Sequence, residues 1–222
     1  MSKVDIHCHS IISDGTLNIL DLVKIAEYKG MSALVLTDHL GGKRNDTYAE
    51  NKALARGLRD ILELPIIVGA EIYSPYGHMV LFGDRACKQF SFNAEMMGKL
   101  RKLDPYEWCR QFIHMTAKES ISGGKIEHAV ILPHPDFAKY NGMPRVMRDY
   151  VDAYEGTNGG NDLTGDEIIQ LESFFPRARR VATTDCHDDV VGNRYIESPQ
   201  SIKTTTDLIK VLRKGNFRLD IN

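Results

Sequence analysis

Short apolar runs that stop at an ionisable residue recur along the whole chain. VDI is followed by His7 and His9, ALVLT by Asp38 and His39, IIVGA by Glu71, AVILP by His134, and VATT by Asp185 and His187. The later runs lack polar alternation, so each reads as a strand buried on both faces, the pattern of a parallel sheet covered by helices. In a parallel barrel every strand C-terminus opens onto one face, so residues far apart in sequence are expected to converge there.

The segments between the runs read as helices. Thr16 is placed to N-cap a helix with the stripe Leu20, Val23 and Ala26, ending at Gly30. The loop DHLGGKRND leads into a helical stretch from Thr47 to Leu62. LPIIVGAE and HMVLFG read as the third and fourth strands, and 93–120 as helical with Pro105 in the first turn of a second helix. AVILP, VDAYE and RRVATT follow as strands, spaced by helices at about 144–150 and 165–175; the tail reads as loop, helix and strand. This alternation, without linker or low-complexity tract, predicts a single α/β domain over residues 1–222.

With 28 basic and 30 acidic residues and a formal charge of −2, the chain offers no global attraction for nucleic acid or an anionic membrane. An anionic partner must be held locally. No run approaches the length of a membrane span, and Asp5, His7, His9 and Asp14 interrupt the N-terminus where a signal core would lie, so a cytoplasmic location is expected. Cys8, Cys87, Cys109 and Cys186 have no CxxC spacing and are read as free thiols.

The densest stretch is DIHCHSIISDG. In an extended chain residues i and i+2 share a side, so His7 and His9 form a two-pronged clamp while Cys8 turns away. Asp185-Cys186-His187 repeats the geometry, again with a cysteine in the middle. Imidazole nitrogen mixed with carboxylate oxygen suits zinc, iron or manganese, and the available ligands exceed what one ion needs.

DIHCHSIISDG, LVLTDH, VGAE followed by GHMVLFG, LPHP and TTDCH occur in this order from Asp5 to His187, followed by ESPQSI and LIKVLRKGNFRL. In these motifs the chain resembles the PHP (polymerase and histidinol phosphatase) family of metal-dependent phosphoesterases. The resemblance implies a distorted (β/α)7 TIM-like barrel carrying two or three divalent ions (Zn, Mn or Fe) at the strand C-termini. Carried over residue by residue, it implies a first ion held by His7, His9, Glu71 and Asp185. A second takes Asp14, His39 and His187, and a third takes His78 and His134, with Glu71 bridging back to the first. The implied reaction is phosphoester hydrolysis by a hydroxide between two ions, since coordination brings the pKa of water from about 15.7 toward 7. Three divalent ions against Asp14, Glu71 and Asp185 leave a formal +3, which suits a phosphate.

His39 and His187 are the side chains placed to protonate a leaving group, with a metal-bound water as the alternative. Arg194, in GNRY after the last ligands, is the first candidate for a phosphate contact, ahead of Arg145, Lys43 and Arg44. Asp5 and Asp38 are expected to support the site from behind by accepting hydrogen bonds from ligand histidines. His114 and His128 match no motif and read as structural; Asp188 and Asp189 read as solvated, and Gly15, Gly41 and Gly42 as turn residues.

The expected substrate is a small phosphomonoester or nucleotide. An oligonucleotide end, as in a 5′-3′ exonuclease or phosphodiesterase, is less favoured because no basic or aromatic track is apparent. A metal-dependent amidohydrolase shares the HxH opening, but TDH, DCH and SDG together argue against it. A non-catalytic module of the same fold is opposed by the complete ligand set.

Overall fold

A computed structural model describes residues 1–40, 47–91, 98–100, 102–117, 128–140, 142–159 and 161–221. Gly41, Gly42, Lys43 and Arg44, and parts of the 93–120 helical reading, lie outside them. The strands are β1 (Ser2–Val4), β2 (Leu34–Leu36), β3 (His39–Leu40), β4 (Ile66–Val68), β5 (Ala70–Ser74), β6 (Gly77–Phe82), β7 (Ala129–Leu132), β8 (Ala153–Asn158), β9 (Asn161–Asp162), β10 (Arg179–Thr183), β11 (Arg194–Ser198) and β12 (Arg218–Ile221). The helices are α1 (Ile19–Tyr28), α2 (Thr47–Leu58), α3 (Asp84–Ser91), α4 (Pro105–Ala117), α5 (Phe137–Tyr140), α6 (Arg145–Arg148), α7 (Gly165–Phe174) and α8 (Thr205–Lys214).

Three sheets form an α/β fold of mixed strand direction. The largest runs β10-β8-β7-β6-β5-β3 with β9 on the flank of β8; β2 pairs with β4, and β1 with β11 and then β12. Backbone hydrogen bonds stitch neighbouring strand ends together. The amide of His9 donates to the Cys186 carbonyl (2.7 Å), that of Thr37 to Cys8 (2.8 Å), and that of Glu71 to Thr37 (3.1 Å). Four segments that carry ionisable residues are thereby tied to one another.

Burial on both faces is realised. Along β6, Met79 and Leu81 pack into one apolar cluster while Val80 and Phe82 enter another; Val130 and Leu132 of β7 divide in the same way from Ala129 and Ile131. With both faces covered, polar side chains find room only where the strands end.

Strand direction departs from the expectation of a wholly parallel sheet, because β6 runs antiparallel to both β5 and β7. A turn at Pro75-Tyr76 is too short for a crossover, which a parallel neighbour would require. LPIIVGAE is also two strands rather than one. At Gly69 the chain passes from β4 into β5, and a Cβ there would lie 2.5 Å from the Phe82 ring, so only glycine fits the close approach. The first helix is capped by Asn18, whose side chain accepts from the Asp21 amide (3.0 Å). Thr16 instead ties its amide and hydroxyl to the His187 carbonyl (2.7 and 3.0 Å). The second helix stops at Leu58, and α3 and β11 were not anticipated. The helix α4 does open at Pro105.

Cys8 and Cys186 face each other across an isolated parallel bridge, both buried among Leu22, Val23 and Leu36 and both free thiols. Among the described residues no helix is long and apolar enough to cross a membrane.

His128, at the start of β7, is buried beside Tyr150 (ring centroids 5.2 Å apart) and belongs to the core; His114 is exposed on α4. Burial, then the Arg213 charge, lowers the His128 pKa from 6.5 to about 4. An unfolded chain therefore takes up this proton near pH 6.5 and the folded chain only near pH 4. Folding stability should fall as pH drops through that window, by about 3 kcal/mol from this group. Urea unfolding of His128→Gln should show the loss between pH 7 and 4 reduced by that amount; an unchanged loss would exclude His128 as its source.

Candidate metal centre

Nine side chains singled out by sequence meet at the ends of the strands. His7 and His9 extend from β1, His39 opens β3, Glu71 and His78 lie on the β5–β6 hairpin, His134 follows β7, and Asp185 and His187 follow β10; Asp14 comes from the loop after His9. The hairpin pairing sets Tyr73 opposite His78, which brings His78 within 3.1 Å of Glu71.

Glu71 is the hub. Its Oε2 lies 3.4 Å from His7 Nε2, 3.2 Å from His9 Nε2 and 3.1 Å from His39 Nδ1, while Oε1 lies 3.1 Å from His78 Nδ1 and 3.2 Å from His134 Nε2. Asp185 Oδ1 closes the first group at 3.3 Å from His7 Nε2 and 3.2 Å from His9 Nε2, and the two Nε2 atoms are 3.0 Å apart. Donors about 2.0–2.2 Å from a common ion stand roughly 3.0–3.5 Å from one another, so this spacing fits a metal. Around Asp14, His9 Nδ1, His39 Nε2 and His187 Nε2 lie at 3.6, 3.4 and 3.5 Å. Among the described residues, three overlapping groups thus have metal-ligand character: His7, His9 and Asp185; His9, Asp14, His39 and His187; and His39, Glu71 and His78. His9 and His39 each turn a nitrogen toward two of the groups, a sharing that the sequence reading did not contain.

Exposure grades across the centre. His7, His9 and Glu71 are at most 1% exposed, whereas Asp14 and His187 are 52% and 40% exposed and His78 and His134 are about a third exposed, so the centre is buried at its floor and open above. Charge and hydrogen bonding outweigh desolvation at the floor. Burial opposes ionisation of Glu71, yet His7, His134 and His78 hold its carboxyl well below the usual carboxylate range. Burial likewise opposes protonation of His9, yet Asp185 and Glu71 raise it to about 9. Imidazolium here balances the carboxylates, the role that a bound cation would take over.

Several supporting residues differ from expectation. Asp5 holds no ligand ring; besides the His7 amide it accepts from the amides of Thr184 (3.1 Å) and Gly192 (3.0 Å) and from the Thr184 hydroxyl, fixing the backbone just before Asp185. Burial pushes its pKa up to about 6. Asp38 also holds no ligand ring. It accepts from the amides of Ser10 (2.8 Å) and Ser13 (3.2 Å) and from Asn51 Nδ2 (2.6 Å), shaping the loop that carries Asp14. Gly15 closes that loop, where a Cβ would come 2.6 Å from the His9 carbonyl oxygen.

The partner of a ligand histidine is Glu155, a residue that sequence reasoning missed. It is buried within β8, accepts from His7 Nδ1 at 2.7 Å and from the His134 amide at 2.6 Å, and is held by Asn158 Nδ2. With Nδ1–H engaged, His7 Nε2 is free to face the centre. His187 is set in the same manner, its Nδ1 donating to the Asp185 carbonyl (2.8 Å). The available signal was the glutamate that closes the run VDAYE, although the strand itself continues past it to Asn158. Glu155 adds a fourth carboxylate, itself buried, lowering the formal excess with three divalent ions from +3 to +2.

His134 and Asp185 have φ of 29° and 51°, a left-handed conformation uncommon outside glycine. Arg194 is bound to Thr157 and Asp162 beside the top of β8, and Arg145 is exposed on α6. Asp188 and Asp189 are exposed.

An α/β protein with a multinuclear donor cluster gathered at the strand ends is the class that fold and site define. The PHP domain model matches residues 5–222, and the chain belongs to the PHP family. Its clustered histidines and carboxylates form candidate metal sites. A search of curated proteins found no match. Among solved structures, it is similar to a two-domain Bacteroides vulgatus protein containing a predicted PHP-like metal-dependent phosphoesterase (17% identity, TM-score 0.64), covering 100% of this chain and 65% of that one. It thus spans slightly less than two thirds of that relative. It is also similar to a protein from Bifidobacterium adolescentis assigned as a metal-dependent phosphoesterase (16%, TM-score 0.51, 94% of each chain). A third similar structure is an amidohydrolase from Chromobacterium violaceum with bound sulfate and no metal (16%, TM-score 0.55, 97% of each chain).

Proposed function

We propose that the protein is a phosphomonoesterase acting on a small phosphorylated metabolite or nucleotide, with residues 1–222 forming one distorted (β/α)7 unit. The observation that carries this reading is the Glu71 hub, which faces five histidines with its two oxygens while one side of the centre stays open. His7, His9, Glu71 and Asp185 would hold a first divalent ion of zinc, manganese or iron; Asp14, His39 and His187 would hold a second, and His78 and His134 with Glu71 a third. When bound, such ions activate water and neutralise phosphoryl charge.

The chain's own residues do the positioning. Glu155 and the Asp185 carbonyl fix the rings of His7 and His187. His39 and His187 flank the open side, but both His39 nitrogens and His187 Nε2 face candidate ions and His187 Nδ1–H is given to the Asp185 carbonyl, so the proton for the leaving oxygen would come from a water at the centre. Arg194 is the phosphate contact in this reading, and to serve it must exchange Asp162 for the substrate. The sulfate bound by the Chromobacterium relative is an anion of phosphate shape, which supports an anionic substrate.

The test compares Mn- and Zn-loaded protein on p-nitrophenyl phosphate, bis(p-nitrophenyl) phosphate and a panel of amides and lactones. Fastest turnover of the monoester is expected. Faster diester cleavage would favour the exonuclease or phosphodiesterase reading, and hydrolysis confined to amides or lactones would overturn both.

A further inference from the structure

A cavity of about 340 Å³ lies apart from the metal centre, between α2, the turn after it, β4 and the segment before α8, and no candidate metal ligand lines it. This volume falls within the ~300–1,000 Å³ range of small-molecule sites. Its floor is apolar and only partly covered: Ala55, Leu58, Leu62 and Ile66 are all half-buried.

The rim is cationic. Lys52, Arg56 and Arg59 follow one another at i, i+4 and i+7, so they share a face, and Lys203 stands across from them. Lys52 is neutralised by Asp84 at 2.9 Å, and Arg59 meets only the exposed Asp60 at 3.5 Å. Among the described residues, no carboxylate lies within 4.0 Å of the charged groups of Arg56 or Lys203. Glu63 is the one acidic residue in the lining. With Lys52 paired to Asp84, the charges a bound anion would meet are those of Arg56 on α2, Arg59 just past its end and Lys203. In a chain of net charge −2 the positive excess is local to the cavity.

We propose that this cavity is a second binding site, taking a small organic anion with an apolar body about two fused rings in size. The apolar body lies on the Leu58–Leu62–Ile66 floor, and its acid group meets Arg56 and Lys203. Neither feature alone selects this ligand: the floor would accept any apolar group, and the rim any anion.

The probe is 8-anilinonaphthalene-1-sulfonate, titrated by fluorescence into the full-length protein, with N-phenyl-1-naphthylamine as the analogue that lacks the sulfonate. One-site binding of the sulfonate is expected, with the neutral analogue binding at least tenfold more weakly. Arg56→Glu combined with Lys203→Glu should weaken sulfonate binding at least tenfold, and Arg56→Gln with Lys203→Gln should do so in part. Both positions are exposed, and circular dichroism checks that the fold is kept. Asp185→Asn, at the metal centre, should leave the affinity unchanged. Equal affinity for the two probes, insensitivity to charge reversal, or loss of binding in Asp185→Asn would each overturn the proposal. So would sedimentation showing a dimer that charge reversal dissociates, since a second copy would then be the occupant.

Discussion

Asp185→Asn should leave a folded protein that has lost bound metal and phosphoester hydrolysis, with a fall in rate beyond the ~10–100-fold that supporting residues of metal sites command. Asparagine keeps the shape of the side chain and tolerates the left-handed backbone at this position, so the fold should survive. What disappears is the charge at Oδ1, which stands 3.2–3.3 Å from the Nε2 atoms of both His7 and His9. Metal content by mass spectrometry and turnover of p-nitrophenyl phosphate are the measurements. Unchanged stoichiometry together with an unchanged rate would show that the ion is held elsewhere.

Glu155→Gln should weaken metal binding by about 10–100-fold without removing any atom that faces the centre. The glutamate anchors His7 Nδ1 and the His134 amide at once, so its charge orients one imidazole and fixes the backbone that delivers another. The amide keeps one oxygen but presents an NH2 group to a place built for two acceptors. Competition with a chelator measures the affinity, and the His7 ring nitrogen shifts report its tautomer. Wild-type affinity with an unaltered tautomer would show that Glu155 only fills space.

The strand-end rule could be read because burial on both faces leaves polar side chains little other room; His7, His134 and Asp185 follow β1, β7 and β10, whereas His39 and Glu71 lie past the ends of β2 and β4 but at the start of β3 and β5. The roles behind the centre could not be read the same way. Asp5, two residues before His7, looks like a natural partner for a ligand ring, yet the side chain bonds backbone at Thr184 and Gly192, far along the chain. Glu155 does what Asp5 was expected to do from 148 residues away, and sequence proximity carries no information about such a contact. The direction of β6 was legible in principle, since Pro75-Tyr76-Gly77 leaves no length for a crossover. It was lost because the apolar run of β6 looks the same whichever way the strand points.

The left-handed backbone at His134 and Asp185 sets durability against chemistry. Such conformations cost on the order of 1–3 kcal/mol each in side chains that do not favour them. A chain selected only to stay folded would place glycine or asparagine at both positions. Stabilising substitutions sought in this protein will therefore be drawn to the two places where accepting them removes a donor, so improvement by selection for heat resistance alone is expected to erode the centre first.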